Sequence, residues 1–488
     1  MSRKREPEPL LIGARWIADS GETLSSVNPA NGHLNREVCA ATPRHVDDAV
    51  NVARQAAGAP SWRDLLPHKR ARLLAGVADV LEARGEDLAR TQMQENGKVL
   101  AECRAQAAAA AATFRYYAAV CETLGAEVTP ARGAYLSMTV YEPYGVVAAI
   151  TPWNSPLTME AQKVAPALAA GNAIVLKPSE VTPTTALALG RAALEAGVPP
   201  GIVNVLPGTG AVAGEALVRH PGVRFLSFTG GTASGRRIAA IAAEKLMPVA
   251  LELGGKSPHI VFADADLDVA AAAVADGIFE GGGQSCVAGS RLFVERGAYQ
   301  RVLETVVERA RRLRIDLPDA PGAQLGPLCS FAHRERIERC VTAARQEGGN
   351  IATGGARPAD RRFADGAFYL PTVITGLSNA STACRQEIFG PVLCVLPFDD
   401  EADLLRQAND SVYGLAAGIW TADYRRAWRV ARSLDAGTVW INTYKQLSVA
   451  APFGGFKDSG IGREKGIGGL RLYQQAKSIY WGLDAPPA

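Results

Sequence analysis

None of the eight cysteines forms a Cys-x-x-Cys pair and none of the six histidines a His-x-x-x-His spacing, so no structural zinc site is expected. No stretch reaches the roughly 18 uninterrupted apolar residues of a membrane span. The alanine-rich segments near 105–112 and 269–275 are broken or flanked by charge. The basic opening Arg3, Lys4, Arg5 sits beside Glu6 and Glu8 with no apolar run behind it. It reads as a solvated tail and not as a secretion signal. The thiols are therefore expected to stay reduced, in the cytoplasm. Net charge is only +3, which calls for neither nucleic acid nor a membrane surface as partner.

What is present is a chain of 488 residues with 48% hydrophobic and 21% charged residues, ordinary for a globular protein of two or more domains. From about 45 to 123 the pattern is helical. Ala71, Leu74, Val77, Ala78 and Leu81 recur at three- and four-residue spacing with charges between them. From about 138 short apolar runs alternate with helical segments. Strands are expected at 146–150, 173–176, 203–206, 223–228 and 249–251, and helices at 157–168, 184–196, 211–219 and 235–243. A second alternation follows from 258 to 440, with strands near 259–262, 291–294, 392–398 and 437–441. Such alternation predicts parallel sheets with crossover helices. Without an internal repeat or a long linker, the expectation is two α/β domains packed together.

Two glycine-rich turns follow strands and open helices. Gly208, Gly210 and Gly214 approximate the dinucleotide fingerprint but carry three residues, not two, before the last glycine. The plain alternative for them is a tight strand-to-helix turn. Gly230, Gly231 and Gly235, after Phe228 and Thr229, are the better candidate for letting backbone N–H groups approach a phosphate.

Four stretches fit one reaction. Cys286 follows the run Glu280, Gly281, Gly282, Gly283, Gln284, Ser285 and precedes a small-residue turn. Alone it would read as an inert core cysteine. Glu252 stands between Leu251 and Leu253 just before Gly254 and Gly255. Burial there would raise its pKa and suit it to a general base, the alternative being a salt-bridged strand end. Asn154, after Thr151, Pro152 and Trp153, ends a strand with an amide donor fit for an oxyanion hole. Lys177 and Glu180, around Pro178 and Ser179, end the next strand, where they would bracket a ribose.

Together these stretches resemble the aldehyde dehydrogenase superfamily from about Asn28 to Trp481. The most specific pieces are the run from Glu252 to Lys256, the run from Gly283 to Cys286, the run from Glu387 to Pro391, and the run from Pro452 to Gly460. The resemblance implies a Rossmann-type cofactor domain over 1–123 and 144–254 and an α/β catalytic domain over 255–458. It also implies a small β oligomerisation arm and C-terminal segment over 124–143 and 459–488. The arm would be a hairpin near 124–143 plus the last strand, 476–481. Homodimers or homotetramers follow as expectations.

By the same resemblance Cys286 is the nucleophile, Glu252 the base, and Asn154 the side-chain half of the oxyanion hole beside the Cys286 backbone N–H. Lys163 and Glu464 fall where some members have a proton path from the base. Lys177 and Glu180 would bind the adenosine ribose, Gly230 the pyrophosphate, and Glu387 and Phe389 the nicotinamide end. Thr151, Pro152, Trp153, Ser179, Gly210, Phe228, Thr229, Gly231, Leu253 and Gly254 complete the expected cofactor surface. Gly231 stands where the family usually has serine, which removes one hydroxyl contact to phosphate. The thiolate would attack an aldehyde, the thiohemiacetal would give up a hydride to the nicotinamide, and Glu252 would activate water to hydrolyse the thioester. The branch that transfers its thioester to coenzyme A lacks this base, so hydrolysis is expected. Glu180 favours NAD over NADP by repelling a 2′-phosphate, with NADP use still open.

Ser155, Gln162, Ser285, Val287, Lys445, Leu447 and Phe453 align with the substrate tunnel. The absence of aromatics at Ser155, Gln162 and Leu447 argues against a cage for a quaternary ammonium group. A polar or carboxylate-bearing semialdehyde recruited by Lys445 is the substrate reading, against Lys445 as a solvated surface lysine. Two other classes compete with the enzyme reading: an NAD-independent thioester or ester hydrolase, and a catalytically silent homologue. A silent homologue has no physical need for Cys286, Glu252, Asn154 and Lys177 together.

Overall fold

The computed structural model describes residues 6–18 and 21–483. The opening arginines and lysine, read from sequence as a tail, lie outside that range. Two sheets organise the chain. In the first, strands run in the order Arg15–Ile17, Leu10–Ile12, Val203–Val205, Ala173–Lys177, Val146–Ile150, Phe225–Thr229, Val249–Glu252, Gly460–Ile461. The five central strands are parallel. They are apolar almost throughout and buried on both faces, which is how strands read when helices cover a parallel sheet. Their order reverses between Val146–Ile150 and Phe225–Thr229, the first and fourth of the five in chain order. In open parallel sheets that reversal leaves a crevice at the carboxyl ends of the strands.

The second sheet runs Asn350–Thr353, Thr372–Thr375, Val392–Phe398, Arg291–Glu295, Pro258–Val261, Ala416–Trp420, Thr438–Ile441. Only its first pair is antiparallel. The molecule is thus mixed α/β with two parallel-rich sheets. Each sheet has its own core. One apolar cluster gathers residues from Leu10 to Leu253 with Leu470 and Tyr473, and two others lie on the faces of the second sheet. The described residues include no helix long and apolar enough to cross a membrane.

The region expected to be helical before residue 123 holds Pro43–Gly58, Pro67–Ala83, Gly85–Asn96 and Leu100–Thr123. Pro43 and Pro67 sit in first turns, where the missing N–H costs nothing. The hairpin Glu127–Val128 with Tyr135–Pro143 pairs with the last strand, Gln474–Gly482, in a separate three-stranded sheet. Of the segment after 458, Gly460–Ile461 instead pairs antiparallel with Leu251–Glu252, and Gly466–Arg471 packs against the helix Pro156–Ala169. This return of the chain carries Glu464 under the end of the strand that bears Glu252.

Candidate active site

The carboxyl ends of Val146–Ile150, Ala173–Lys177 and Phe225–Thr229 open on a cavity of about 470 Å³. Its lining includes Thr151, Pro152, Trp153, Lys177, Ser179, Glu180, Gly210, Phe228, Thr229, Gly230 and Gly231. Both glycine turns therefore face one hollow, including the one whose spacing misses the fingerprint. Gly210–Gly214 is a single wide helical turn before Glu215–Arg219, and Gly231 caps the helix Thr232–Glu244. A Cβ on Gly210 or Gly231 would touch no protein atom, so backbone amides there stand open to a ligand. Lys177 is buried, and its ammonium lies 3.2 Å from a carboxylate oxygen of half-exposed Glu180. Burial lowers the Lys177 pKa, and Glu180 opposes that shift. A crevice at the sheet reversal, a helix N-terminus, open glycine backbone and a lysine–carboxylate pair fit a dinucleotide.

Beyond Trp153, outside the lining of that hollow, lies a loop in a strained conformation. Phe389 has φ of +57°, uncommon for a side chain of its size. Its ring stands edge-on to Trp153 at 5.3 Å, and His333 lies 2.7 Å from its carbonyl oxygen. Arg336 donates to the carbonyls of Glu387 and Ile388. The half-buried Glu387 carboxylate accepts from the Gly255 N–H at 2.9 Å, and a Cβ on Gly254 would come within 2.4 Å of it. Burial pushes Glu387 up to about 7, against the pull of that backbone hydrogen bond. Leu253 packs beneath Gly235, whose Cβ position lies 2.4 Å from the leucine.

Cys286 is half-buried in a loop fixed from several directions. The Asn154 side-chain amide donates to the carbonyl of Gln284 at 3.0 Å, leaving its second N–H for another acceptor. The Gln284 side chain accepts from the Cys329 N–H and donates to the Gly281 carbonyl. The Cys286 carbonyl lies against Gly255, where a Cβ would come within 2.4 Å. Burial, with Glu387 and Glu252 adding negative charge, pushes the thiol up to about 12, and the Lys465 ammonium pulls it down.

Glu252 is 4% exposed and neither carboxylate oxygen has a hydrogen-bond partner. The salt-bridged alternative for this residue is thereby removed. Burial holds its pKa well above the usual carboxylate range, and Glu464 raises it further while Lys163, Arg463 and Lys465 oppose. Behind it, the Lys163 ammonium donates to Glu464 at 2.5 Å and to Ser227 at 2.8 Å, and Ser227 donates to the same Glu464 oxygen at 2.9 Å. All three are buried.

The expected substrate residues divide. Val287 and Phe453 share an apolar cluster with Cys286, completed by Leu415, Ala416, Trp440 and Tyr444. Ser285 is half-buried beside the nucleophile, while Ser155 starts the helix Pro156–Ala169 and Gln162 is buried within it. Leu447 is half exposed. Lys445 is already paired within the protein. Its side chain is 17% exposed and its ammonium lies 3.3 Å from Glu280 and 3.4 Å from the Asp276 carbonyl. It lines a second cavity, of about 610 Å³, with Glu102, Asp276 and Glu280. The Glu102 carboxylate in turn accepts from the Gly281 N–H at 2.8 Å.

Sequence reasoning missed Ser227, Lys465, His333 and Arg336. Ser227 had a signal, as a polar residue inside the apolar strand Phe225–Thr229. Lys465 follows Glu464 directly and lies 5.0 Å over the Phe453 ring. His333 and Arg336 come from a distant helix, Phe331–Gln346, with no local mark of their role.

Residues 16–479 match the model of the aldehyde dehydrogenase family. The chain is 40% identical to a Burkholderia cenocepacia protein described as an aldehyde dehydrogenase, with 99% of each chain covered and a TM-score of 0.96. It is 35% identical to a betaine aldehyde dehydrogenase from Staphylococcus aureus, a point mutant in complex with NAD+, again over 99% of each chain, with a TM-score of 0.97. An aldehyde dehydrogenase from Bacillus cereus in its NAD+ complex is 39% identical over 98% of this chain and 97% of that one, with a TM-score of 0.95. The family model and the structural matches both run over nearly the full length: the chain belongs to the aldehyde dehydrogenase family and is an enzyme of that class.

Proposed function

We propose that the protein oxidises a polar aldehyde to its carboxylic acid with NAD, through a thioester on Cys286 that a Glu252-activated water hydrolyses. The carrying observation is the Glu252 carboxylate, buried, free of hydrogen-bond partners, and within electrostatic reach of the Cys286 thiol. Hydrolysis of a thioester needs a base to take a proton from water, and a carboxylate with a raised pKa is matched to that task. The thiol gives its proton to solvent, and Lys465 stabilises the thiolate that results. As sulfur bonds to the aldehyde carbon, the free N–H of Asn154 and the Cys286 backbone N–H receive the oxyanion. Bound NAD would supply the hydride acceptor that brings this carbon to the thioester level. Lys177 and Glu180 would hold its ribose hydroxyls, the Gly210 and Gly230–Gly231 turns its phosphates, and Glu387 with Phe389 its nicotinamide end. Glu252 then takes a proton from water as the thioester is hydrolysed, and Glu464, Lys163 and Ser227 carry that proton away.

In this reading 1–123 and 144–254 bind the cofactor, 255–458 carry the nucleophile, and 124–143 with 459–488 serve assembly. Tyr480 and Trp481 are two-thirds exposed on the last strand, which supports a homodimer or homotetramer working in the cytoplasm. The substrate is a semialdehyde whose polar end meets the cavity beside Lys445. A carboxylate-bearing one must displace Glu280 from that lysine.

The test is nicotinamide reduction by purified protein with NAD and NADP over aliphatic, aromatic, amino and carboxylate-bearing aldehydes, beside Cys286→Ala. Reduction with NAD that disappears in the variant is expected. No reduction, with ester cleavage independent of NAD, would replace this reading with that of a hydrolase.

A further inference from the structure

On the side after Cys286 the nucleophile loop is restrained from outside the catalytic set. The Tyr444 hydroxyl donates to the carbonyl of Val287, the residue after Cys286, at 2.9 Å. Its ring is stacked on His259 with centroids 4.2 Å apart and planes 16° from parallel. His259 is fully buried, and its Nε2 accepts from the Trp420 indole N–H at 2.8 Å. That acceptor role leaves the proton on Nδ1 and the ring neutral. On Tyr444's other side Trp440 lies 4.8 Å away, and its own N–H donates to the Gln446 carbonyl.

The slot holding this stack is cut by three glycines from three separate elements. A Cβ on Gly277 would come within 2.9 Å of the Tyr444 ring, and one on Gly418 within 2.5 Å. A Cβ on Gly289 would lie 2.9 Å from His259 and 3.2 Å from the Tyr444 hydroxyl. Gly277 lies in the helix Leu267–Phe279 and Gly418 in the strand Ala416–Trp420. Their backbone angles are not left-handed, so conformational need does not account for glycine at these positions; room for the two rings does.

We infer that Tyr444, held by the His259 and Trp420 relay, is a positioning residue that fixes the peptide following Cys286 and so aims the sulfur and the oxyanion-binding N–H. The hydroxyl touches neither substrate nor cofactor in this account; it acts by satisfying a buried carbonyl whose rotation would turn the nucleophile loop. Asn154 restrains the loop before Cys286 through the Gln284 carbonyl, and Tyr444 restrains it after Cys286 through the Val287 carbonyl. A nucleophile clamped on both sides keeps its attack geometry without reorganisation in the transition state.

The inference rests on Cys286 being the nucleophile. Its test is Tyr444→Phe, which keeps the stack and removes only the donor. With enzyme in excess over aldehyde, the single-turnover rate of nicotinamide reduction should fall about tenfold, the size of effect that slight misplacement of a reacting group produces. The KM for NAD should stay at the wild-type value, as should the stoichiometry of NAD binding read by calorimetry. That stoichiometry counts folded sites, so a variant that merely unfolds would lose it in step with the rate. A wild-type single-turnover rate in Tyr444→Phe would overturn the inference. If that variant is insoluble, Gly418→Ala moves the ring from the opposite wall while leaving the hydroxyl. A similar rate loss at unchanged KM for NAD is expected, and an unchanged rate overturns the inference. Wild-type protein that reduces no NAD, or activity surviving Cys286→Ala, would remove the nucleophile assignment instead.

Discussion

The hollow over Gly230 and the hollow beside Lys445 are of similar size, about 470 and about 610 Å³, yet they are built from different materials. The first is made by the backbone: strand ends at a sheet reversal, glycine turns and the start of a helix. The second is made by side chains, with Glu102, Asp276 and Glu280 facing Lys445. A backbone-built site follows from topology and is closed only where a side chain replaces one of its glycines. A site built from ion pairs can be altered by single substitutions, so it is where one member of a family can differ from the next.

Breaking the backbone-built hollow should have the largest effect. A side chain at Gly230 would drive into the Phe228 ring, since even a Cβ there lies 2.5 Å from it. Gly230→Val should raise the KM for NAD about 100-fold, as loss of close backbone approach to a phosphate implies. An unchanged KM would separate this hollow from the cofactor. The next effect is at the thiol, which lines neither hollow. A thiol pushed up to about 12 is protonated below that pH, so its thiolate fraction grows as pH rises. Alkylation of Cys286 in protein without NAD should therefore accelerate by about tenfold per unit from pH 7 to 9. A plateau near neutrality would show that the thiolate is already formed.

Smaller effects sharpen the contrast. Glu180→Ala removes a carboxylate that would face a 2′-phosphate, so the ratio of kcat/KM for NADP over NAD should rise about tenfold. In the side-chain-built hollow, Glu280→Gln frees Lys445 from its partner. The KM for carboxylate-bearing aldehydes should fall about threefold while that for uncharged aldehydes holds, the scale of a partly exposed ion pair. Equal KM values for both classes in wild type and variant would end the role given to Lys445.

The same contrast decides what was legible in the sequence. The strands Val146–Ile150 and Ala173–Lys177 are unbroken apolar runs, and the glycine turns and Asn154 lie at strand ends, so local pattern located them. Thr372–Thr375 and Ala416–Trp420 were not foreseen, being short and, in the second case, rich in alanine and glycine. Their strand form comes from pairing with other strands, which for Ala416–Trp420 include Pro258–Val261 far back in the chain. Lys445 was read by its charge alone. Its partner Glu280 lies 165 residues away in sequence, and no local signal joins them. His259 and Tyr444 escaped for the same reason, because their stack exists only once both sheet strands and the nucleophile loop are assembled. Glu252 illustrates the converse: its apolar neighbours foretold burial, and the structure adds that nothing bonds to it.

Rapid mixing of Glu252→Gln with NAD and a good aldehyde tests the proposal that Glu252 hydrolyses a thioester formed on Cys286. A burst of about one nicotinamide reduced per subunit is expected, followed by turnover slowed at least about 100-fold, because the thioester forms but is not hydrolysed. Steady-state turnover equal to wild type would contradict the proposal and return Glu252 to the status of an unexplained buried acid.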